Sequence, residues 1–307
     1  MKRQSFSVPG AARRSGVRWR LVLLVAAAAL AVSGLGAAQT NAPGETVIIP
    51  GVNIPGWGQV DQVQGRFGRP IGSKPKVPAV LILHGSFGVD GRGAFYAKAL
   101  QEASLATLEI TMFPPGARPR AGIKATMPHA AAALKWLAAQ PAVDGQRLGV
   151  MGFSWGGIMS VLMSSELVQE RLGKEVPRAV AFAPLYPVCS LLARMLVNPK
   201  LSFYNAHTRM SGAPMLIQVG TRDDYEEGEH TCDALVAMWP AAARAHTTVR
   251  YIEGATHDFD SQKPGLKYYA KFAHGGHGGM VSVVPSPKDA AEARLAVVNF
   301  FIKYLHP

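Results

Sequence analysis

RLGVMGFSWGG, residues 147–157, is the stretch whose reading decides how this chain folds. Leu148, Gly149, Val150 and Met151 have the character of a short, fully buried strand. Gly152-Phe153-Ser154-Trp155-Gly156 then fits the pattern G-x-S-x-G, and an apolar helical run follows from Ile158. Strand, sharp turn and helix, with a serine at the apex, make a nucleophile elbow. Such a turn forces the serine into a strained conformation, so that its Oγ projects from the top of a sheet. Any side chain at Gly152 or Gly156 would clash with the neighbouring strand and helix. The helix starting at the serine aims its free N–H groups and positive dipole end at an oxyanion formed there. The competing reading is a glycine-rich turn whose serine only caps the helix.

Outward from the elbow, the 307 residues suit one large α/β domain. The formal charge of +12 invites a nucleic-acid reading, but its distribution argues otherwise. Lys2, Arg3, Arg13, Arg14, Arg18 and Arg20 precede an apolar, alanine-rich run from Leu21 to about Leu35, followed by Gly36-Ala37-Ala38. This is the pattern of a secretory signal peptide over residues 1–38, cut after Ala38, with an uncleaved membrane anchor as its rival. Setting those six aside leaves 26 of the 32 Lys and Arg against 20 acidic residues, a charge of +6. No basic run with interleaved aromatics remains, so nucleic acid is not an expected partner, nor is a membrane once the leader is gone. The expected location is secreted or periplasmic. The two cysteines, Cys189 and Cys232, fit a disulfide in an oxidising compartment, with two buried thiols as the alternative.

Residues 39–307 read as a single domain. Thr46–Ile49 and Val63–Pro70 suit edge strands of a hairpin, with a turn at Lys74-Pro75-Lys76. From Val77 buried strands alternate with amphipathic helices. Strands are expected at 79–83, 106–112, 148–151, 179–184, 215–219 and 249–252. Helices are expected at 94–103, 127–139, from 158 to about 172, at roughly 233–244 and at 290–305. The last of these would place Ala291, Leu295, Val298, Ile302 and Leu305 on one face. Such alternation implies a mostly parallel sheet covered on both faces, with ligands at the carboxyl ends of its strands. No insertion is long enough for a large lid domain. The longest irregular stretch is Asp258–Ser286.

A serine needs a base within hydrogen-bond reach and a group that orients the base. Two later strand ends carry such groups. Val219-Gly220-Thr221-Arg222-Asp223-Asp224 ends a buried strand with a turn and two carboxylates, and Ile252-Glu253-Gly254-Ala255-Thr256-His257 ends the next with a turn and a histidine. Ser154 is thus the expected nucleophile, His257 the base and then acid, and Asp223 the orienter, with Asp224 as the reserve. The order serine, acid, histidine is that of one hydrolase fold. An oxyanion would be met by the N–H of Trp155 and by that of Ser86 in the loop His84-Gly85-Ser86-Phe87-Gly88, with His84 supporting the loop. Phe87 and Trp155 are candidate substrate-pocket walls or, equally, core residues. His274-Gly275-Gly276-His277-Gly278-Gly279 has a metal-like look but lacks a cysteine or carboxylate at ligand spacing, and reads as a mobile loop near the site. Glu226, Glu227, Glu229 and His230 read as a solvated helix start. No metal is expected there, and no nucleotide cofactor is expected because no phosphate-cradling glycine loop occurs.

With those residues in place, the chain resembles the dienelactone hydrolase family of α/β-hydrolases. The resemblance lies in VPAVLILHGSFG (77–88), LKWLAAQPAVDGQRLGVMGFSWGG (134–157), residues 183–189, MLIQVGTRDDYEEGEHTC (215–232) and YIEGATHDFD (251–260), and extends from about Gly65 to Leu305. It implies the fold and a nucleophile–acid–histidine set on Ser154, Asp223 and His257. The family's namesakes carry cysteine as nucleophile, where this chain has Ser154, which favours ordinary ester chemistry over a dienelactone substrate. The leader is a second departure, because the namesakes work inside the cell. The expected activity is hydrolysis of a small carboxylic ester or lactone through an acyl-enzyme. A peptidase or acyl-peptide hydrolase of the same fold and a non-catalytic binding protein are the alternatives.

Overall fold

The computed structural model describes residues 44–70, 72, 76–113 and 122–306. The leader, its cleavage site and Lys74-Pro75 lie outside the described residues. In chain order the elements are β1 (Glu45–Pro50), β2 (Asn53–Ile54), β3 (Gly58–Gln59), β4 (Gln62–Gly68), β5 (Val77–Leu83), α1 (Arg92–Glu102), β6 (Ala106–Ile110), α2 (Met127–Ala138), β7 (Val143–Phe153), α3 (Trp155–Met163) and α4 (Glu166–Leu172). They continue with β8 (Ala181–Leu185), α5 (Cys189–Val197), β9 (Met215–Gly220), α6 (Thr231–Ala237), α7 (Ala241–Ala245), β10 (Thr247–Ile252), β11 (Leu266–Ala270), β12 (Gly279–Val283) and α8 (Pro287–Leu305).

Eight strands form one sheet in the order β1-β4-β6-β5-β7-β8-β9-β10. From β6 through β10 every neighbouring pair is parallel, while β1 and β4 add an antiparallel edge. The residue patterns explain the placement. All seven residues of β5, VPAVLIL, are buried, as expected for a central strand covered on both faces. β1 alternates towards solvent and occupies the edge. Gly149 and Gly152 on β7 face opposite sides, as residues three apart on a strand must. A Cβ on Gly149 would meet the Phe301 ring of α8 at 2.5 Å, and one on Gly152 would meet the backbone of Gly156 in α3 at 2.3 Å. Helices therefore cover both faces of the sheet at β7.

Several boundaries differ from the sequence reading. The expected helix up to Leu172 breaks at Ser164-Ser165. There Ser165 lies extended, with its hydroxyl donating to the Ala206 carbonyl at 2.6 Å. The expected helix 233–244 divides at Pro240, which cannot supply a helical N–H. The buried face of α8 is Ala290, Ala293, Val297, Val298, Phe301 and Leu305, whereas Ala291, Leu295 and Ile302 face outward. Both sets recur at helical spacing, and the larger Phe301, packed on Gly149, decides between them. The stretch 258–286 is not irregular. β11 and β12 pair as an antiparallel hairpin, and the glycines of the His274–Gly279 segment make its turn, with Gly275, Gly276 and Gly278 at φ of 62°, 91° and 80°. Among the described residues, no helix is long and apolar enough to cross a membrane.

Candidate active site

Ser154 sits between β7 and α3 at φ 49° and ψ −106°, a conformation that L-residues hold only when their surroundings impose it. Those surroundings are visible. The Ser154 N–H donates to the Leu185 carbonyl at 3.0 Å, and the Ser154 carbonyl accepts from Ile158 at 2.8 Å. Gly156 lies so close to β5 that a Cβ would stand 2.2 Å from the Leu83 carbonyl oxygen. The predicted need for glycine at 152 and 156 is thus met by the helix at one position and the strand at the other.

Two neighbouring loops bring the other groups. Past β9, the Arg222 N–H donates to the Ala255 carbonyl, and Gly220 leaves no room for a Cβ, which would lie 2.1 Å from that same oxygen. The loops after β9 and β10 are thereby laced together. His257 Nδ1 lies 2.8 Å from Asp223 Oδ2, and His257 Nε2 lies 2.9 Å from Ser154 Oγ. A carboxylate accepts, so Nδ1 carries the proton in the neutral ring and Nε2 is left to accept from the serine. The second oxygen of Asp223 accepts from the Tyr225 N–H at 2.9 Å, which fixes the carboxylate. Asp224, the reserve candidate, points elsewhere. Its Oδ2 accepts from the Ser282 N–H at 2.8 Å and its carbonyl from the His274 N–H at 2.8 Å, which anchors the β11–β12 hairpin to this loop. The segment expected to be a mobile loop is therefore pinned at both its turn and its returning strand.

His257 is enclosed between the rings of Tyr225 and Tyr186, with centroids 4.4 and 4.9 Å away. Burial alone would push its pKa down, but the Asp223 and Asp258 carboxylates outweigh burial and hold it above the ordinary value. His84 shows the opposite balance. Burial dominates and lowers its pKa to about 4, so the ring is neutral. Its Nε2 accepts from the Met112 N–H at 2.9 Å, and Nδ1 donates to the Gly85 carbonyl at 2.7 Å. It braces the loop, as its position suggested. A Cβ on Gly85 would stand 3.7 Å from Ser154 Cβ, so the backbone leading to Ser86 runs beside the serine. Trp155 donates through Nε1 to Thr126 Oγ1 at 3.1 Å, and Phe87 packs edge-on against Tyr268 of the hairpin.

Other features were not legible beforehand. Glu226, expected in a solvated helix start, is buried. Its Oε1 accepts from the Cys189 N–H at 2.6 Å, and its Oε2 accepts from the Ser190 N–H at 2.9 Å and the Thr231 hydroxyl at 2.7 Å. Burial foremost, and then the Asp223 charge, raise its pKa. Cys189 and Cys232 form the disulfide expected of them, joining α5 to α6 beside this carboxylate. Among the described residues, Cys189, Glu226 and Cys232 are the one group with three metal-capable atoms close together, and both sulfurs are in the disulfide. His277 instead lies 3.0 Å from Glu227 at the surface. Arg92, the first residue of α1, went unnoticed in the sequence and is almost completely buried beside the site.

The dienelactone hydrolase family model matches residues 93–305, which include Ser154, Asp223 and His257. The chain belongs to the dienelactone hydrolase family. Solved structures agree on the fold. Thermogutta terrifontis esterase 2 phosphorylated by paraoxon is 17% identical with a TM-score of 0.60, covering 87% of this chain and 97% of its own. The dienelactone hydrolase from Anabaena variabilis is 18% identical with a TM-score of 0.53, covering 85% and 99%. A dienelactone hydrolase-like promiscuous phosphotriesterase from metagenomic libraries is 16% identical with a TM-score of 0.52, covering 85% and 98%. At such identities the likeness speaks for the α/β-hydrolase fold alone. No curated protein matches the sequence.

Proposed function

We propose that this dienelactone hydrolase family member is a serine hydrolase that cleaves small carboxylic esters or lactones. One observation carries the reading: an unbroken hydrogen-bonded path from Ser154 Oγ through both nitrogens of His257 to Asp223. In the proposed reaction Ser154 Oγ bonds to the substrate carbonyl carbon as its proton passes to His257 Nε2. The π electron pair of the carbonyl moves onto oxygen. The N–H groups of Trp155 and Ser86 receive that oxyanion, one at the start of α3 and the other on the loop that His84 braces. Collapse expels the alkoxide, which takes the proton from His257. A water molecule then gives its proton to His257 and its oxygen to the acyl carbon, releasing the acid and restoring Ser154.

Phe87, on the loop after β5, and Trp155, the first residue of α3, are proposed as walls of the substrate pocket. The basic, apolar leader and the disulfide support the placement of this chemistry in the periplasm or outside the cell. A fluorophosphonate probe tests the reading. Wild-type protein should label and hydrolyse p-nitrophenyl esters, and Ser154→Ala should do neither while keeping its circular dichroism spectrum. Folded wild-type protein that neither labels nor turns over any ester would sink the reading.

A further inference from the structure

His257 is approached by two carboxylates. Asp223 holds Nδ1. On the other edge, Asp258 Oδ1 lies 3.9 Å from Nε2, the nitrogen that faces Ser154. That separation is too long for a hydrogen bond and short enough for strong interaction between charges away from water. Asp258 reaches it from a left-handed backbone at φ 54°, a conformation uncommon outside glycine. Its carboxylate is not free to turn. Arg92 Nη1 donates to Asp258 Oδ1 and also, at 2.9 Å, to the Tyr186 hydroxyl oxygen. The other edge of the guanidinium is taken by Asp90, through Nε at 3.0 Å and Nη2 at 2.6 Å. Tyr186 donates onward to Asp260 at 2.5 Å, and Asp260 accepts also from Tyr96 at 2.8 Å. A buried cation on α1, two elements away from the elbow in sequence, therefore sets the position of a carboxylate next to the histidine.

Resting on the reading of Ser154 and His257 as nucleophile and base, we propose that Asp258 is a positioning residue of this active site. Held by Arg92 against the serine-facing edge of His257, it steadies the ring and stabilises the imidazolium formed when Ser154 loses its proton. The charges around the ring fit this role. Asp223 and Tyr225 approach from the loop after β9, Tyr186 from the end of β8, Ser154 from the elbow, and Asp258 from the loop of the histidine itself, with Arg92 behind it on α1. Before reaction, the Nε2 edge holds no proton of its own and Arg92 balances Asp258. When Nε2 takes the proton from Ser154, the new positive charge lies between the departing group and Asp258. The fork of Arg92 keeps Oδ1 from rotating in to bond that proton outright, so the proton stays available to the leaving alkoxide. The same pairing offsets the negative charge that would otherwise stand beside a developing oxyanion.

The test is the pH dependence of kcat/KM on a p-nitrophenyl ester, with fluorophosphonate labelling of each variant in parallel. Activity requires neutral His257, so the acid limb reports the titration of His257 in the free enzyme. Removing a negative charge from its side should move that limb to lower pH. For Asp258→Asn we expect a shift of about one unit and a fall in plateau kcat of about tenfold, with KM little changed. Asp90→Asn removes the other carboxylate on Arg92, away from His257, and should leave the limb in place. Should Asp258→Asn fail to fold, Asp258→Ser removes the charge without an amide to bury, and the same shift is required of it. A folded, neutral variant at 258 whose limb coincides with that of an active wild type overturns this inference alone. Wild-type protein that neither labels nor turns over overturns the hydrolase reading and this inference with it.

Discussion

Glu226 caps the helix that Cys189 opens: its carboxylate accepts at 2.6 Å from the N–H of Cys189, the residue whose sulfur is bonded to Cys232. Tyr225, the preceding residue, packs its ring at a tilt against His257, and Asp223 holds that same ring. The acid loop is therefore fastened through the buried Glu226 carboxylate to the first turn of α5 and to the Thr231 hydroxyl of α6, two helices that the disulfide joins to each other.

Opening the disulfide should loosen that fastening. Replacing Cys189 and Cys232 together by serine frees a loop of 43 residues in the unfolded chain. The chain-entropy model assigns that loop about 4 kcal/mol. We expect a lowered urea midpoint for the double variant and for wild type treated with dithiothreitol. In both, ester turnover should fall before the global unfolding transition is reached. Equal midpoints with and without reductant would show that the bond contributes nothing to stability.

Asp223 and Asp224 are adjacent in sequence and differ in what they hold. Asp223→Asn presents an amide that cannot hold His257 in the tautomer needed to accept from Ser154. Turnover should fall by roughly 10³–10⁴-fold while the fold persists. Asp224→Asn weakens only the grip on Ser282 and the hairpin, and should keep most of the activity with a change in KM. Steady-state kinetics of both variants on one ester decides the matter, and the reverse ranking would exchange their roles.

Glu109 on β6 supplies a pH dependence of stability. Burial foremost, with the nearby Asp90 charge adding to it, pushes its carboxyl up to about 7 from an ordinary 4.5. The folded protein therefore keeps a proton that the unfolded chain has already released. The contribution of Glu109 to stability is fully present below about pH 4.5 and is lost as pH rises through about 7. Glu109→Gln removes the titration. It should be more stable than wild type at pH 8, by up to about 3 kcal/mol, with the advantage vanishing near pH 4. Urea unfolding of both proteins across that range checks the slope. A constant difference would place the proton elsewhere.

What could be read in the chain beforehand was whatever local pattern dictates. The elbow was legible because G-x-S-x-G between a buried strand and a helix is a backbone requirement carried by a few consecutive residues. Asp223 and His257 were legible because each follows the turn glycine at the end of an apolar strand, and parallel strands present those ends on one side. The choice of Asp223 over Asp224 follows the same spacing, and it is the Asp223 carboxylate that lies 2.8 Å from His257 Nδ1.

The misread elements have a different physical character. The buried face of α8 was ambiguous because two residue sets share helical spacing, and only the gap at Gly149 selects Phe301. The β11–β12 hairpin is anchored through Asp224 and the Thr256 hydroxyl, partners 58 and 28 residues away in sequence, so no local signal announced it. Glu226 reads as a surface charge and nothing local singles out Arg92, because charged residues usually face water. Each is buried only because distant groups satisfy it: the first turn of α5 and Thr231 for one, Asp90, Asp258 and Tyr186 for the other. By itself, the sequence determined the order of the central sheet strands and which strand ends carry serine, carboxylate and histidine, because those depend on backbone sterics and periodic burial. Only the tertiary structure decided which charges are removed from water beside the histidine, because desolvating a charge requires partners that the fold alone brings together.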